Sequence, residues 1–145
     1  RRGGSGTRCV VRGDLFGPPE TSDLLAVTEL PRLMAMRRAR AHGPQHDALD
    51  DPDVVGFARE GDEAHPGSGL AVVLSDRRAA TKCLHVGARH AGEQWICVLG
   101  GHEPVTVADD GSVELPVSDG GLSVYAPQTA RPILDSAEQH LLRQR

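Results

Sequence analysis

Asp53-Val54-Val55-Gly56-Phe57-Ala58-Arg59-Glu60-Gly61-Asp62, followed after Pro66-Gly67-Ser68-Gly69 by Leu70-Ala71-Val72-Val73-Leu74, decides how this chain folds. Each run is short, rich in β-branched or aromatic residues, and bounded by turn chemistry, which reads as a strand rather than a helix. Toward the C-terminus the pattern recurs at Lys82–Val86, Gln94–Leu99, Val105–Val107, Ser112–Val117 and Leu122–Ala126. The breaks are Gly87, Gly100-Gly101, Asp109-Asp110-Gly111 and Asp119-Gly120-Gly121. Short strands at this spacing predict a mainly β chain folded as an antiparallel sandwich. Asp110-Gly111, between Val107 and Val113, is the strongest hairpin signal, and Pro116 marks its run as an edge strand or a bulge.

Working outward from the strands, the text becomes helical on both sides. From Thr21 to His42, Thr21, Ser22 and Asp23 offer cap oxygens, Pro31 suits a first turn, and Arg37, Arg38 and Arg40 crowd the last turn. Gly43-Pro44 ends that run, because glycine accepts a left-handed cap and proline cannot continue a helix. Further upstream Cys9-Val10-Val11 reads as a buried parallel strand. After Pro127, the residues Ile133, Leu134, Ala137, Leu141 and Leu142 fall near one face of a helix expected to pack on its own domain.

The chain has 145 residues, enough for one domain with a core and too few for two. Its net charge of −4, with 25% charged residues of mixed sign, provides no basic footprint, so no nucleic-acid partner is expected. Trp95, Tyr125, Phe16 and Phe57 are the only aromatics, too few for base-stacking platforms. No apolar run reaches the length of a bilayer span, so no membrane partner is expected. Arg1-Arg2-Gly3-Gly4-Ser5-Gly6 has neither an initiator Met nor a signal-type apolar stretch and reads as an interior cut of a longer chain or a misplaced start. Cys9, Cys83 and Cys97 sit in apolar contexts and read first as free core thiols, with a Cys83–Cys97 bridge as the alternative.

Several pieces then become recognisable together. Gly43-Pro44-Gln45-His46-Asp47 and Asp50 to Asp62 resemble bacterial-type α-amylases of glycoside hydrolase family 13, at the passage from the last barrel helix into the C-terminal domain. Pro66 to Asp76, Lys82 to Gly87 and Gly120 to Tyr125 follow in family order, and Cys9 to Gly17 is similar to the last barrel strand and its loop. The resemblance implies an antiparallel Greek-key β-sandwich, preceded by one strand and helix left from a (β/α)8 barrel and followed by a helical tail. The implied domains are 1–44 (barrel remnant), 45–127 (C-terminal sandwich) and 128–145 (tail). The sequence departs from the family at Arg12, where an aromatic is usual, in the loop Arg77–Thr81, and at Ala48, Leu49, Asp51 and Pro52. The stretch Gly69–Ser75 and the free cysteines lean toward the cytoplasmic branch.

The resemblance also implies a chemistry. Such enzymes hydrolyse internal α-1,4 bonds of starch- or glycogen-like glucans with retention, using a nucleophilic carboxylate and an acid roughly 5 Å apart. Both carboxylates, and a third acid on the strand before the last, would lie upstream of Arg1, so no catalytic residue is assigned. His46-Asp47 is the only His-Asp pair and follows the helix rather than a barrel strand. One strand and one helix cannot close a barrel of about 250 residues, so this portion is expected to be structural and inactive alone, with the α-glucan bound by the missing barrel. Its part would be to bury the apolar face of the last barrel helix (Leu30, Leu33, Met34) against the sandwich.

For metal, the resemblance implies a Ca²⁺ between barrel and sandwich, held by the Pro52 carbonyl and the carboxylates of Asp53 and Asp76. Hard oxygens of this kind suit calcium, and ordinary strand-end turn residues read the same way. The seven histidines show no i,i+4 helical pair and no Cys-x-x-Cys partner, and read as scattered surface residues. Trp95, between apolar neighbours, reads as core rather than as a sugar platform. Arg12-Gly13-Asp14 reads as part of a barrel loop rather than an integrin-type motif, and Asp14 as a residue facing the substrate end. Two rival readings are a carbohydrate-binding sandwich without hydrolase and a degenerate, truncated gene product.

Overall fold

A computed structural model describes residues 29–143, without the side chains of Glu138 and residues 140–143. The expected strand Cys9–Val11, Arg12-Gly13-Asp14, Cys9, and the first part of the helix from Thr21 lie outside these residues. Helix α1 (Leu30–Arg40) is followed by β1 (Gln45–Ala48), β2 (Val54–Arg59), β3 (Leu70–Ser75), β4 (Ala80–His85), β5 (Gln94–Cys97), β6 (Val105–Thr106), β7 (Ser112–Val117), β8 (Leu122–Pro127) and helix α2 (Arg131–Arg143). One sheet has six strands in the order β1-β2-β3-β8-β5-β6, and the other pairs β4 with β7. Every pairing is antiparallel.

The runs predicted from the sequence all become strands, and the sheets bury one face of them against each other. Val54, Ala58, Ala71, Val73, Leu84, Trp95, Val113, Leu115, Val117 and Tyr125 form that inner core. The outer face of the larger sheet is apolar too, and the helices cover part of it. Leu70, Val72, Val124 and Ala126 there meet Met36 and Leu33 of α1 and Ile133 and Leu134 of α2. This explains why β3 and β8 read as continuous apolar runs, since both of their faces are buried. The tail helix packs on its own domain through Ile133 and Leu134, as its stripe predicts.

Four expectations change in the structure. The seat of α1 uses Met36, which is fully buried, whereas Met34 is 38% exposed, so Leu30, Leu33 and Met34 do not together form its buried face. Strand β1 was not anticipated, since Gln45-His46-Asp47-Ala48 has no apolar alternation and is held by backbone pairing to β2. The Asp110-Gly111 turn forms, with Gly111 N donating to Ala108 O at 2.9 Å, yet it does not join a hairpin. Its flanking strands β6 and β7 belong to different sheets, so the turn carries the chain across the sandwich. Cys83 is exposed and free rather than a core thiol, because the inward positions of β4 belong to Lys82 and Leu84. Cys97 is free, on the other sheet.

Other signals hold. Strand β7 pairs only with β4, which leaves an edge for Pro116. Helix α1 ends short of the expected glycine cap, with Ala41 as its C-cap at φ −83°. Gly43, at φ 78°, makes the turn into β1, where a Cβ would lie 2.0 Å from the carbonyl oxygen of Gly61, so no other residue fits.

Candidate functional site

The three residues expected to bind calcium lie at one end of the β2–β3 pair. Asp53 immediately precedes β2 and Asp76 immediately follows β3, and the register sets Val54 opposite Ser75. The amide of Asp76 donates to the Asp53 carbonyl at 3.1 Å, which closes this end and brings the two acids together. Pro52 is exposed beside them in the β1–β2 loop.

The surroundings of these acids are rich in cations. Lys82 Nζ reaches Asp50 Oδ1 at 2.6 Å, and Arg78 reaches Asp51 Oδ2 at 2.5 Å. Arg77 Nε lies 3.3 Å from Asp76 Oδ1. Asp51 Oδ1 also accepts the amides of Asp53 at 2.9 Å and Val54 at 3.3 Å, capping the start of β2. The hydrogen bond from Lys82 holds the Asp50 carboxyl below the ordinary aspartate range, and the Asp53 amide does the same for Asp51. Oxygen donors from Pro52, Asp53 and Asp76 match calcium in chemical type, and an ion there would displace Arg77 from Asp76.

Four of the histidines expected to be scattered over the surface gather instead into two clusters, each with a carboxylate, and a fifth, His90, is buried. His42 stacks on His65 with ring centroids 3.6 Å apart, and His65 Nδ1 bonds Asp62 Oδ1 at 2.7 Å. His46 of β1, Glu60 just beyond β2 and His85 at the end of β4 form a second group. His90 is buried, with Nδ1 2.7 Å from Glu93 Oε2 and Nε2 2.7 Å from the Glu60 carbonyl. His46, Glu60 and His85 lie far apart in sequence, and no helical or Cys-x-x-Cys spacing could have found them. The only available signal was strand pairing, which sets His46 opposite Ala58, two residues before Glu60.

Trp95 is fully buried, edge-on to His90, and Tyr125 is fully buried with its hydroxyl donating to the Pro116 carbonyl at 2.8 Å. Burial pushes the Tyr125 phenol up, with Cys97 adding to the effect. Neither ring offers a face to a sugar. Among the described residues, the carboxylates whose pKa moves are Asp50, Asp51, Asp62 and Asp110, and all four move down. An acid catalyst needs the opposite shift.

Outside the sandwich core, an open groove of about 700 Å³ runs between α1 and the outer sheet face, lined by Leu33, Met36, Phe57, Val72, Leu122 and Val124 among others. Leu122, at its edge, and the register partner Leu74 are 39% and 41% exposed. Among the described residues no helix is long and apolar enough to cross a membrane.

No family model matches the chain. It is 37% identical over 124 residues to an α-amylase of Geobacillus stearothermophilus, covering 85% of this chain and 23% of that protein. It is 36% identical over 129 residues to an α-amylase of Bacillus licheniformis, covering 83% and 24%. The chain therefore spans about a quarter of the length of the curated relatives it matches. A solved α-amylase from Malbranchea cinnamomea superposes with a TM-score of 0.47 at 17% identity, over 68% of this chain and 20% of that one, too loosely to bear on fold or site. With more than a third of its residues shared over most of its length, this β-sandwich chain belongs to the α-amylase family of glycoside hydrolases.

Proposed function

We propose that the chain is the C-terminal structural portion of an α-amylase that hydrolyses internal α-1,4-glucosidic bonds of starch- or glycogen-like polysaccharides with retention. In this reading residues 1–44 end the catalytic barrel, 45–127 form the C-terminal sandwich and 128–145 add a helical tail. The observation that carries it is the outer face of the six-stranded sheet. Helix α1 sits on that face through Met36, and the apolar surface continues past the helix to Leu74 and Leu122. A face of this kind excludes water when a larger body covers it, and the barrel of the parent enzyme is that body.

The acids fit the same reading. Asp50, Asp51 and Asp62 are engaged by Lys82, the Asp53 amide and His65 at the surface, an arrangement that holds these carboxylates ionised, and Asp76 is paired with Arg77. A retaining glycosidase needs one carboxyl kept protonated beside a nucleophile. That work falls to carboxylates of the barrel. The Pro52 carbonyl, Asp53 and Asp76 would hold Ca²⁺ at the seam. They supply three of the six to eight oxygens calcium takes, and the barrel supplies the others. The ion supplies cross-linking charge there, and the chain's own part is to present two carboxylates fixed by the Asp76–Asp53 backbone bond.

The test is starch hydrolysis by this chain alone and by its fusion to the preceding, barrel-sized span (about 400 residues with insertions) of a related amylase. Reducing ends should appear with the fusion only. Activity in the chain alone overturns the reading, and a folded but inactive fusion reduces the relationship to ancestry.

A further inference from the structure

We propose that His46, Glu60 and His85 form a binding site for a divalent transition-metal ion, with Zn²⁺ the best fit. The three residues come from β1, the position just beyond β2 and the end of β4, and their ligand atoms lie within 4.8 Å of one another. His46 Nε2 is 2.6 Å from Glu60 Oε1, and His85 Nδ1 is 3.7 Å from that same oxygen. The two imidazole planes stand at 79° with centroids 5.9 Å apart, so lone pairs lying in those planes can meet at one point.

The other trio shows what this geometry excludes. His42, Asp62 and His65 also lie within 4.8 Å of one another, but the two rings are stacked at 3.6 Å and 6°. Their lone pairs run in parallel planes, and no ion can sit in both. That group is a stack closed by a carboxylate.

Two further observations concern the supports of the site. His85 bonds the carbonyl of Asp110 through Nε2 at 2.9 Å. A carbonyl only accepts, so Nε2 carries the hydrogen and Nδ1 keeps its lone pair toward Glu60. Metal-ligating histidines are oriented by such a partner on the second nitrogen. Glu60 is clamped by its backbone, with its amide donating to Pro44 O at 3.1 Å and its carbonyl accepting from His90 Nε2 at 2.7 Å. Its side chain packs over Gly87, where a Cβ would lie 3.2 Å from the carboxyl carbon. The carboxylate is therefore held where the imidazoles converge, with both histidine side chains about half exposed and open to an incoming ion.

Two imidazoles and one carboxylate favour Zn²⁺, Co²⁺ or Cu²⁺ over Ca²⁺, which prefers oxygen. Three protein ligands leave one position for water. The ion would tie β1, an edge strand with exposed residues, to β4 of the opposite sheet.

The experiment uses the full 145-residue chain, stripped with a chelator and titrated with Zn²⁺ by calorimetry and with Co²⁺ by visible absorption. One Zn²⁺ should bind per chain, without competition from millimolar Ca²⁺, and Co²⁺ should give ligand-field bands typical of nitrogen ligation. His46→Gln and His85→Asn should each weaken Zn²⁺ about ten-fold or more. A His42→Ala/His65→Ala double variant should bind as tightly as the parent. The proposal is overturned if the parent chain shows neither saturable Zn²⁺ binding nor a Co²⁺ spectrum. It is also overturned if affinity follows His42 and His65 instead. The Co²⁺ bands are read on the unaltered chain, so they test the site even where a variant misfolds.

Discussion

The guanidinium of Arg40, at the end of α1, donates to the carbonyl oxygen of Thr129 at 2.9 Å, across 89 positions of sequence. The same side chain donates to the Gly67 carbonyl, and its own carbonyl accepts from Gly69 N at 2.9 Å. One buried arginine thus joins the helix to the turn before β3 and to the turn that leads into α2. Burial pulls its pKa down, against the opposing charge of Glu93. Its dipole role, read from its place in the last turn, is secondary to this bridging.

Replacing Arg40 should therefore cost more than a surface charge would. Arg40→Ala leaves the carbonyls of Gly67 and Thr129 without a donor, and unfolding by urea should show a loss of about 3 kcal/mol. Arg40→Lys should recover only part of this, because an ammonium cannot span both carbonyls as the planar fork does. Equal stability of Arg40→Ala and the parent chain would remove the bridge from the account.

The hydroxyl of Tyr125 links the two sheets through Pro116 of β7. Tyr125→Phe keeps the ring in the core and deletes only that bond. Its expected cost is about 1–2 kcal/mol, read from the midpoint shift at unchanged m-value.

Acid should weaken the fold in a defined direction. Asp50, Asp51, Asp62 and Asp110 are held below the ordinary value, chiefly by Lys82, the Asp53 amide, His65 and Ser112 respectively. A carboxyl whose folded pKa lies below its unfolded value stabilises the fold above the unfolded pKa, about 3.9. That contribution is lost as pH falls through the lower, folded value. Urea midpoints should hold from pH 7 to about 5 and decline below 4, and Asp51→Asn should flatten the decline.

Trp95 is the only tryptophan and is fully buried, so it reports directly on the rival sugar-binding reading. Its emission should be that of a shielded indole and should not change on adding maltoheptaose. Quenching or a shift on saturation with the sugar would restore the binding-module alternative.

The strands were legible because Val54–Ala58, Leu70–Leu74 and Ser112–Val117 each carry their own evidence, short β-rich runs bounded by turn residues. The positive φ of Gly43 was legible for a similar reason, since a left-handed turn residue is a local event, although the helix itself is capped by Ala41. Strand β1 was not, because Gln45-His46-Asp47-Ala48 is held by backbone bonds to β2, which leave no mark on side-chain pattern. The seat of α1 was half legible, since Leu33 and Met36 both looked apolar but only the crossing of helix and sheet settled that Met34 faces out.

The candidate sites divide along the same line. Asp53 and Asp76 could be put together from the sequence because a family resemblance aligned them, and the register of β2 with β3 brings them to one end. The two histidine groups could not, since His46, Glu60 and His85 meet only when β1, β2 and β4 are in place. By itself the sequence determined every strand after β1, where they turn and what family they resemble, because propensity and turn chemistry act between neighbours. Only the tertiary structure decided which sheet each strand joins, which face of the helix is buried, and which distant polar groups converge. Those outcomes depend on register and packing between residues tens of positions apart, where no short-range pattern carries the information.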